Sequence, residues 1–130
     1  MIVVDASAIV EVLLNTATGG ALRRYLFAAG ETLHVPHVTD VEVLQVLRRY
    51  SLAKILGRER AREAFDDYAA MPLTRYSHSV LLPRVWELRH NLTAYDAVYV
   101  ALAEALSATL VTCDRALGSV SGHRATIQVF

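Results

Sequence analysis

The chain has 130 residues with 13 basic and 13 acidic side chains, so its formal net charge is zero. This length suits a single domain, residues 1–130, with a hydrophobic core of its own. The balanced charge is not that of a strongly basic nucleic-acid-binding protein, and the single cysteine, Cys113, excludes an intrachain disulfide.

Short apolar runs alternate with amphipathic segments along the whole chain. Continuous apolar runs are typical of strands buried on both faces of a parallel sheet, and the amphipathic segments have a helical period. Ser7 is expected to cap the first helix, Gly19-Gly20 to separate it from the second, and Pro36 to end the second strand. The predicted strands are 2–4, 33–35, 73–76, 109–112 and 125–129. The predicted helices are 8–14, 20–28, 39 to about 49, 52–56, 58–70, 78 to about 90, and 94–106.

Helices between short apolar strands predict an α/β fold with three layers and a mostly parallel sheet. No repeat or linker divides the chain, which favours one compact domain. The helix from Thr39 has a broad apolar face that we expect to pack against the core. This face is formed by Val38, Val41, Val43, Leu44 and Leu47.

Hydrophobic residues make up 54% of the chain, whereas ordinary globular proteins contain roughly 45–50%. A small domain with this surplus is expected to leave apolar surface exposed, and such surface usually marks a partner. We therefore expect an oligomer or an obligate complex rather than a solitary monomer.

The N-terminal segment has no basic run and carries Asp5 and Glu11, so it is not expected to be a secretory signal. The most apolar stretch, 94–111, is interrupted by Asp96 and Glu104, which argues against a membrane span. We expect a soluble cytoplasmic protein.

Four acidic residues lie where an α/β fold places its ligand site. Asp5 follows the first predicted strand, and Asp114 follows the strand that ends near Thr112. Ligands of an open parallel sheet bind beyond the carboxyl ends of such strands. Glu42 and Asp96 lie near the starts of two predicted helices, which face the same edge.

Carboxylates gathered in one pocket repel each other, by about 3 kcal/mol for a pair ~5 Å apart at an effective dielectric constant of ~20. A hard divalent cation such as Mg²⁺ or Mn²⁺ takes oxygen ligands and would relieve this repulsion. The four acids therefore predict a metal site.

Each acid also has a purely structural interpretation. Thr39 and Glu42, like Thr93 and Asp96, have the spacing of a capping box, in which the acid only satisfies backbone donors. Asp5 and Asp114 could be ordinary turn residues after strands. The joint pattern of four acids favours the metal site.

Other candidates for chemistry are weaker. His34 and His37 flank Pro36, which argues against a helical metal pair and favours a surface loop. No histidine has a recognisable triad context for Ser7, so we expect Ser7 to cap a helix and to contact a metal-bound water molecule. Cys113 is expected to be an ordinary buried cysteine. Tyr95 and Tyr99 share a face of the Asp96 helix and are interpreted as packing residues.

Four segments resemble the motifs of the PIN-domain family, and within it the VapC-type toxins of toxin–antitoxin pairs. The first contains Asp5 and Ser7, the second Glu42, the third Asp96, and the fourth Thr112 and Asp114. These segments are IVVDASAIVEVLL, VEVLQVLRR, TAYDAVYVALAEAL and TLVTCDRAL. They occur in the order and at the spacing of the family over nearly the whole chain. One departure is Ala6, because many relatives carry a hydroxyl residue there.

The resemblance implies a five-stranded parallel sheet flanked by helices and endonucleolytic cleavage of RNA that depends on Mg²⁺ or Mn²⁺. It also implies a homodimer and a small antitoxin partner, which would cover the surplus apolar surface. On this basis Asp5, Asp96 and Asp114 are expected to bind the metal directly, and Glu42 directly or through water. Ser7 and Thr112 are expected to orient these ligands.

Arginine dominates the basic residues, because only Lys54 is a lysine. Arginine binds phosphate through a planar, often bidentate donor set, so the bias suits an RNA ligand. A GC-rich genome would produce the same bias. Arg115, beside Asp114, is a candidate to contact a substrate phosphate.

Three other functions share parts of this pattern with the nuclease. A phosphatase with Asp5 as nucleophile usually has a second acid two residues later, where this chain has Ser7. A receiver-like phosphoacceptor would have a lysine near the last strands, and Lys54 is not there. The non-enzymatic alternative is a PIN-like module that binds RNA or a protein without cutting, and it would not need four acids.

Overall fold

The structure is a computed structural model that describes residues 1–130. It contains five strands and seven helices, and a 3₁₀ turn at Leu88–His90 follows the fifth helix. The strands are β1 (Ile2–Val4), β2 (Leu33–Pro36), β3 (Leu73–Tyr76), β4 (Thr109–Thr112) and β5 (Ile127–Val129). The helices are α1 (Ala6–Leu13), α2 (Ala17–Leu26), α3 (Val38–Leu52), α4 (Arg58–Ala70), α5 (Leu82–Glu87), α6 (Ala94–Leu106) and α7 (Arg115–Gly118).

All five strands are parallel, in the spatial order β3-β2-β1-β4-β5. The chain runs from β1 outward to β3 and then crosses to β4 and β5 on the other side of β1. Such a reversal of strand order opens a crevice at the carboxyl edge of the sheet. In this fold the crevice lies between β1 and β4, where Val4 pairs with Val111.

The sheet separates two hydrophobic cores. Ile2 and Val4 of β1 face the core that α1 to α4 complete, whereas Val3 faces the core that α5 to α7 complete. This alternation arises because successive side chains of a strand point to opposite faces, so a strand covered on both faces has to be apolar throughout. The predicted three-layer α/β fold is therefore confirmed.

Several predicted helix boundaries were wrong. The first helix begins at Ala6 with Asp5 as its N-cap, so Ser7 is inside the helix. Gly19 and Gly20 lie within α2, whose cap is Thr16, because the Thr16 hydroxyl accepts a hydrogen bond from the Gly19 N–H. No separate helix covers 52–56, since α3 continues to Leu52 before the chain turns.

Other elements differ from the prediction in length or surroundings. The last strand is shorter than 125–129, α5 starts only at Leu82, and α7 was not predicted. His34 is not in a surface loop but is buried in β2. Its two ring nitrogens lie 2.8 Å from Thr32 Oγ1 and 2.8 Å from Tyr76 Oη, so the buried imidazole is fully hydrogen-bonded.

The apolar face of α3 is only partly buried. Val43 and Leu47 are in the core, but Val41 and Leu44 are 68% and 41% exposed. The predicted face is too wide for one helix to bury against its own domain, so part of it remains on the surface. No helix is both long enough and apolar enough to cross a membrane.

Substitution of the two glycines of α2 should separate packing from helix propensity. A Cβ at Gly19 would lie 2.2 Å from the Glu11 carbonyl oxygen, whereas one at Gly20 would meet nothing within 4 Å. Gly19→Ala should therefore lower the free energy of unfolding by about 1–3 kcal/mol through overpacking. Gly20→Ala should be neutral or raise it by up to ~1 kcal/mol. Urea denaturation of both variants measures this, and equal effects would contradict the close approach of α2 to α1.

Candidate metal centre

Four carboxylates approach the carboxyl edge of the sheet from four different elements. Asp5 directly follows β1 as the N-cap of α1, and Asp114 is the N-cap of α7, just after β4. Glu42 lies in the second turn of α3, and Asp96 in the first turn of α6. The structure thus brings together all four acids predicted from the sequence, and it draws them from both helical layers.

Asp5 is the most deeply buried of the four acids, with 9% of its surface exposed. One of its oxygens, Oδ2, accepts hydrogen bonds from Ser7 Oγ at 2.6 Å and from Thr112 Oγ1 at 2.7 Å. The other, Oδ1, has no hydrogen-bond partner in the chain. Two charge-assisted bonds hold the carboxylate in one orientation and leave one oxygen for a ligand.

The same two hydroxyls also hold the segment that carries Asp114. Ser7 Oγ accepts a bond from the Cys113 N–H at 3.0 Å, and Thr112 Oγ1 accepts one from the Asp114 N–H at 2.9 Å. Asp114 Oδ1 in turn caps α7 by accepting from the Ala116 N–H at 2.8 Å. Ser7 therefore does not cap a helix but connects the start of α1 to the end of β4.

Neither of the two predicted capping boxes is complete. Thr93 is the N-cap of α6 and accepts a bond from the Asp96 N–H at 3.2 Å. The Asp96 carboxylate does not return a bond to the Thr93 N–H, so the capping box is incomplete. Thr39 caps nothing, because α3 begins at Val38 with His37 as its N-cap.

Glu42 is held by a contact that was not predicted. Tyr99 Oη donates a hydrogen bond to Glu42 Oε2 at 2.7 Å and lies 2.8 Å from Thr39 Oγ1. Tyr99 is buried, as expected of a packing residue, but its hydroxyl faces the carboxylate cluster. The only signal in the sequence was its spacing of three residues from Asp96, which places both on one face of α6. Tyr95, by contrast, is 64% exposed and is not a packing residue of this domain.

The acid cluster has no positive charge within the chain to offset burial and mutual repulsion. Burial raises the pKa of Glu42, and the charges of Asp5 and Asp96 raise it further, while the bond from Tyr99 acts in the opposite direction. Burial likewise raises the pKa of Asp96, with added repulsion from Asp5 and Asp114, against a hydrogen bond from Thr93. None of the four forms an ion pair within the chain.

The donor set fits a hard divalent cation. Carboxylate oxygens are the ligands that Mg²⁺ and Mn²⁺ prefer, and an uncompensated negative cluster attracts them. No three histidine, cysteine, aspartate or glutamate side chains converge closely enough to enclose an ion. Mg²⁺ usually keeps several waters and is held by one or two carboxylates plus substrate phosphates, so an open cluster is compatible with it.

Cys113 and Arg49 lie beside the acid cluster and differ in what they can contribute to its chemistry. Cys113 is half-buried, and burial together with the charges of Glu11 and Asp5 raises its pKa to about 11, so the thiol stays protonated and is no nucleophile at neutral pH. Arg49, which sequence reasoning did not single out, lines a surface groove with Glu42 and Tyr95. Arg49 and the exposed Arg115 form no ion pair within the chain.

Comparisons with known proteins agree with this architecture. The model of the PIN-domain family matches residues 2–122. Ribonuclease VapC9 of Mycobacterium tuberculosis is 46% identical over 129 residues, which cover 99% of this chain and 98% of that protein. The aligned region therefore spans nearly the full length of both chains.

Two solved structures share the fold. VapBC2 from Rickettsia felis, bound to a DNA fragment from its promoter, has a TM-score of 0.73 at 16% identity and covers 99% of this chain and 98% of the other. VapC20 of M. tuberculosis, a toxin that cleaves the sarcin–ricin loop, has a TM-score of 0.68 at 17% identity, covering 92% and 94%. At these low identities the likeness concerns the fold, and it agrees with the parallel five-stranded sheet.

The raised pKa of Glu42 makes a prediction about pH and stability. In the metal-free protein the native state holds its proton to higher pH than the unfolded chain, whose glutamate titrates near 4.5. Native stability from this group is therefore present below that pH and is lost as the pH rises through the native pKa. Glu42→Gln resembles the neutral acid and keeps an acceptor for Tyr99. Its melting temperature in EDTA should equal that of the wild type near pH 4 and exceed it at neutral pH. A difference that does not change with pH would contradict this electrostatic account.

Proposed function

The chain belongs to the PIN-domain family, and we propose that it is a metal-dependent endoribonuclease acting as the toxin of a type II toxin–antitoxin pair. The observation that carries the proposal is that four carboxylates without an ionic partner lie near the crevice between β1 and β4, close enough to raise the pKa of Glu42 and Asp96. The similarity to VapC9 adds support, because that protein is named a ribonuclease and aligns over nearly its full length. The same coverage supports a single nuclease domain over residues 1–130.

The cofactor of this proposal is Mg²⁺ or Mn²⁺. Asp5, Asp96 and Asp114 are the proposed direct ligands, which requires their side chains to move closer together than they lie in the metal-free chain. Glu42 would bind the ion directly or through a water molecule. When bound, such an ion lowers the pKa of a water molecule and neutralises charge on the scissile phosphate. The reaction is hydrolysis, in which water attacks phosphorus and the ribose 3′ oxygen leaves.

The remaining residues of the site orient ligands and substrate. Ser7 and Thr112 hold Asp5 Oδ2 in place, so that Oδ1 stays available. Arg115 lies at the exposed start of α7, and Arg49 lies in the groove beside Glu42. Because neither arginine is neutralised within the chain, both can contact phosphates that flank the cleaved bond.

The partners of this proposal are an RNA substrate, a small antitoxin and a second copy of the chain. A continuous apolar surface beside the site supports the homodimer: a cavity of about 170 Å³ is lined by Leu82, Tyr95 and other apolar side chains. Tyr95 also joins this cavity to the exposed Val41. An enzyme with these partners would act in the cytoplasm, where its RNA is found.

The alternative is a PIN-like module that binds RNA or protein without cutting it. Such a module needs the fold and the arginines but gains nothing from keeping acids whose mutual repulsion opposes folding. Nothing in the site favours this alternative over the nuclease. The two hypotheses differ in one measurable property, which is metal-dependent turnover.

Removal of one acid should abolish cleavage without unfolding the protein. In Asp96→Asn the Thr93 cap remains, because Thr93 binds the backbone N–H of residue 96. We expect RNA cleavage in Mg²⁺ or Mn²⁺ to fall by at least about 100-fold, since loss of mere outer partners of a metal site already costs roughly 10–100-fold. EDTA should abolish cleavage by the wild type. Labelled structured and single-stranded RNAs, with antitoxin removed, provide the assay.

The matched control is Asp67→Asn, because Asp67 is an exposed acid of α4 far along the chain from the cluster. This variant should cleave at the wild-type rate. Absence of cleavage by the wild type in either metal would favour the binding module. Equal cleavage by wild type and Asp96→Asn would mean that Asp96 only stabilises the N-terminus of α6 and takes no part in catalysis.

A charge placed on the apolar surface should weaken self-association. Leu82 is 57% exposed at the start of α5, and burial of a leucine side chain is worth about 1.5–3 kcal/mol. Leu82→Glu should therefore raise the dimer dissociation constant by at least about tenfold, as measured by analytical ultracentrifugation. Ile55→Glu is the control, because Ile55 is 68% exposed after α3 and lines neither cavity of this surface. A monomeric wild type, or equal effects of both substitutions, would refute this interface.

A further inference from the structure

Two buried hydroxyls form a directed hydrogen-bond chain that ends on Glu42. Tyr99 Oη donates to Glu42 Oε2 at 2.7 Å and lies 2.8 Å from Thr39 Oγ1. A tyrosine hydroxyl has one hydrogen, and Glu42 accepts it, so the hydrogen between Tyr99 and Thr39 has to come from Thr39. The direction of the chain is therefore from Thr39 through Tyr99 to Glu42.

The two hydroxyl residues are far more rigid than the acid they contact. Tyr99 is 1% exposed and Thr39 is 0% exposed, and Tyr99 is packed in the core between α6 and the sheet. Close packing fixes such side chains in one rotamer. Glu42 is only partly buried, and its side chain has three rotatable bonds. The position of its carboxylate therefore depends on the bond from Tyr99.

This bond also connects the two helical layers at the site. Thr39 and Glu42 lie three residues apart on α3, and Tyr99 and Asp96 lie three residues apart on α6. Residues at this spacing share one face of a helix. The Tyr99 hydroxyl thus ties the acid of one layer to the helix that carries the acid of the other. Glu42 Oε1 receives no hydrogen bond from the chain.

We propose that Tyr99, supported by Thr39, is a positioning residue that holds Glu42 through Oε2 and leaves Oε1 free to bind a divalent cation or its water. This inference rests on the proposed function, because it concerns the same metal centre. It assigns a role to two residues outside the four acids and the hydroxyls of Ser7 and Thr112. Neither Tyr99 nor Thr39 touches the substrate in this role.

The test removes one hydroxyl at a time and measures metal binding as well as cleavage. Tyr99→Phe keeps the ring in the core but removes the only donor to Glu42. We expect the Mn²⁺ dissociation constant, measured by electron paramagnetic resonance, to rise by roughly 10–100-fold, with a comparable loss of RNA cleavage. Thr39→Val should have a smaller effect in the same direction, because the bond from Tyr99 to Glu42 survives.

Tyr68→Phe is the matched control. Tyr68 is also buried, and its hydroxyl also donates to a carboxylate, that of Asp40 at 2.5 Å, but Asp40 is paired with Arg75 instead of belonging to the acid cluster. This variant should lose some stability yet bind Mn²⁺ like the wild type. Mn²⁺ binding weakened equally in Tyr68→Phe and Tyr99→Phe would overturn the proposal, because it would reveal a general effect of lost stability.

A double-mutant cycle with Glu42→Ala separates positioning from a structural defect. If Tyr99 acts through Glu42, Tyr99→Phe should not weaken Mn²⁺ binding further in the Glu42→Ala background. An equal loss in both backgrounds, or no loss in Tyr99→Phe alone, would overturn the inference while wild-type cleavage still supports the nuclease. A wild type that neither binds Mn²⁺ nor cleaves RNA would overturn the proposed function and this inference together.

Discussion

Repulsion between like charges at the carboxyl edge of β1 and β4 is the constraint on which the arrangement of the site depends. Four carboxylates meet there without an ionic partner, and burial raises the pKa of Glu42 and Asp96. The hydroxyls around the cluster donate hydrogen bonds but carry no charge, so they orient the acids without neutralising them. The compensating charge has to come from outside the chain. Instability of the metal-free site and affinity for a cation are therefore two aspects of one electrostatic property.

The topology of the sheet explains how these acids meet. β1 is central, with β2 on one side and β4 on the other, so the first acid of the chain lies at the point where strand order reverses. The helices of both layers begin at the same edge, so α3 and α6 add one acid each from opposite faces. Ser7 and Thr112 connect the ends of β1 and β4, and Tyr99 connects α6 to α3. The site is thus held by contacts that run across the whole fold.

The surface of this small domain carries several large apolar side chains. Its two cores take up the apolar faces that point inward, but several large apolar side chains remain outside, Val80, Leu82, Trp86 and Tyr95 among them. Val80, Leu82 and Trp86 lie on or near α5, and Tyr95, at the start of α6, lines a groove with Glu42 of the acid cluster. A partner that covers them would also border the site, which would couple assembly to access of RNA.

The amino-acid sequence by itself determined the α/β class and the approximate positions of all five strands, because buried strands require continuous apolar runs. It also indicated the four acids, because two follow strands and two lie near helix starts, all at one edge of the sheet. It did not determine what Thr39 and Tyr99 do, nor that Ser7, which was expected to orient the ligands, also holds the backbone of Cys113. Local rules assign Thr39 and Ser7 to helix caps, but tertiary contacts give them other partners. Those partners are distant in the chain: Ser7 is 106 residues from Cys113, and Tyr99 is 57 from Glu42. Only the folded chain brings such groups within hydrogen-bonding distance, so no local pattern could have identified them.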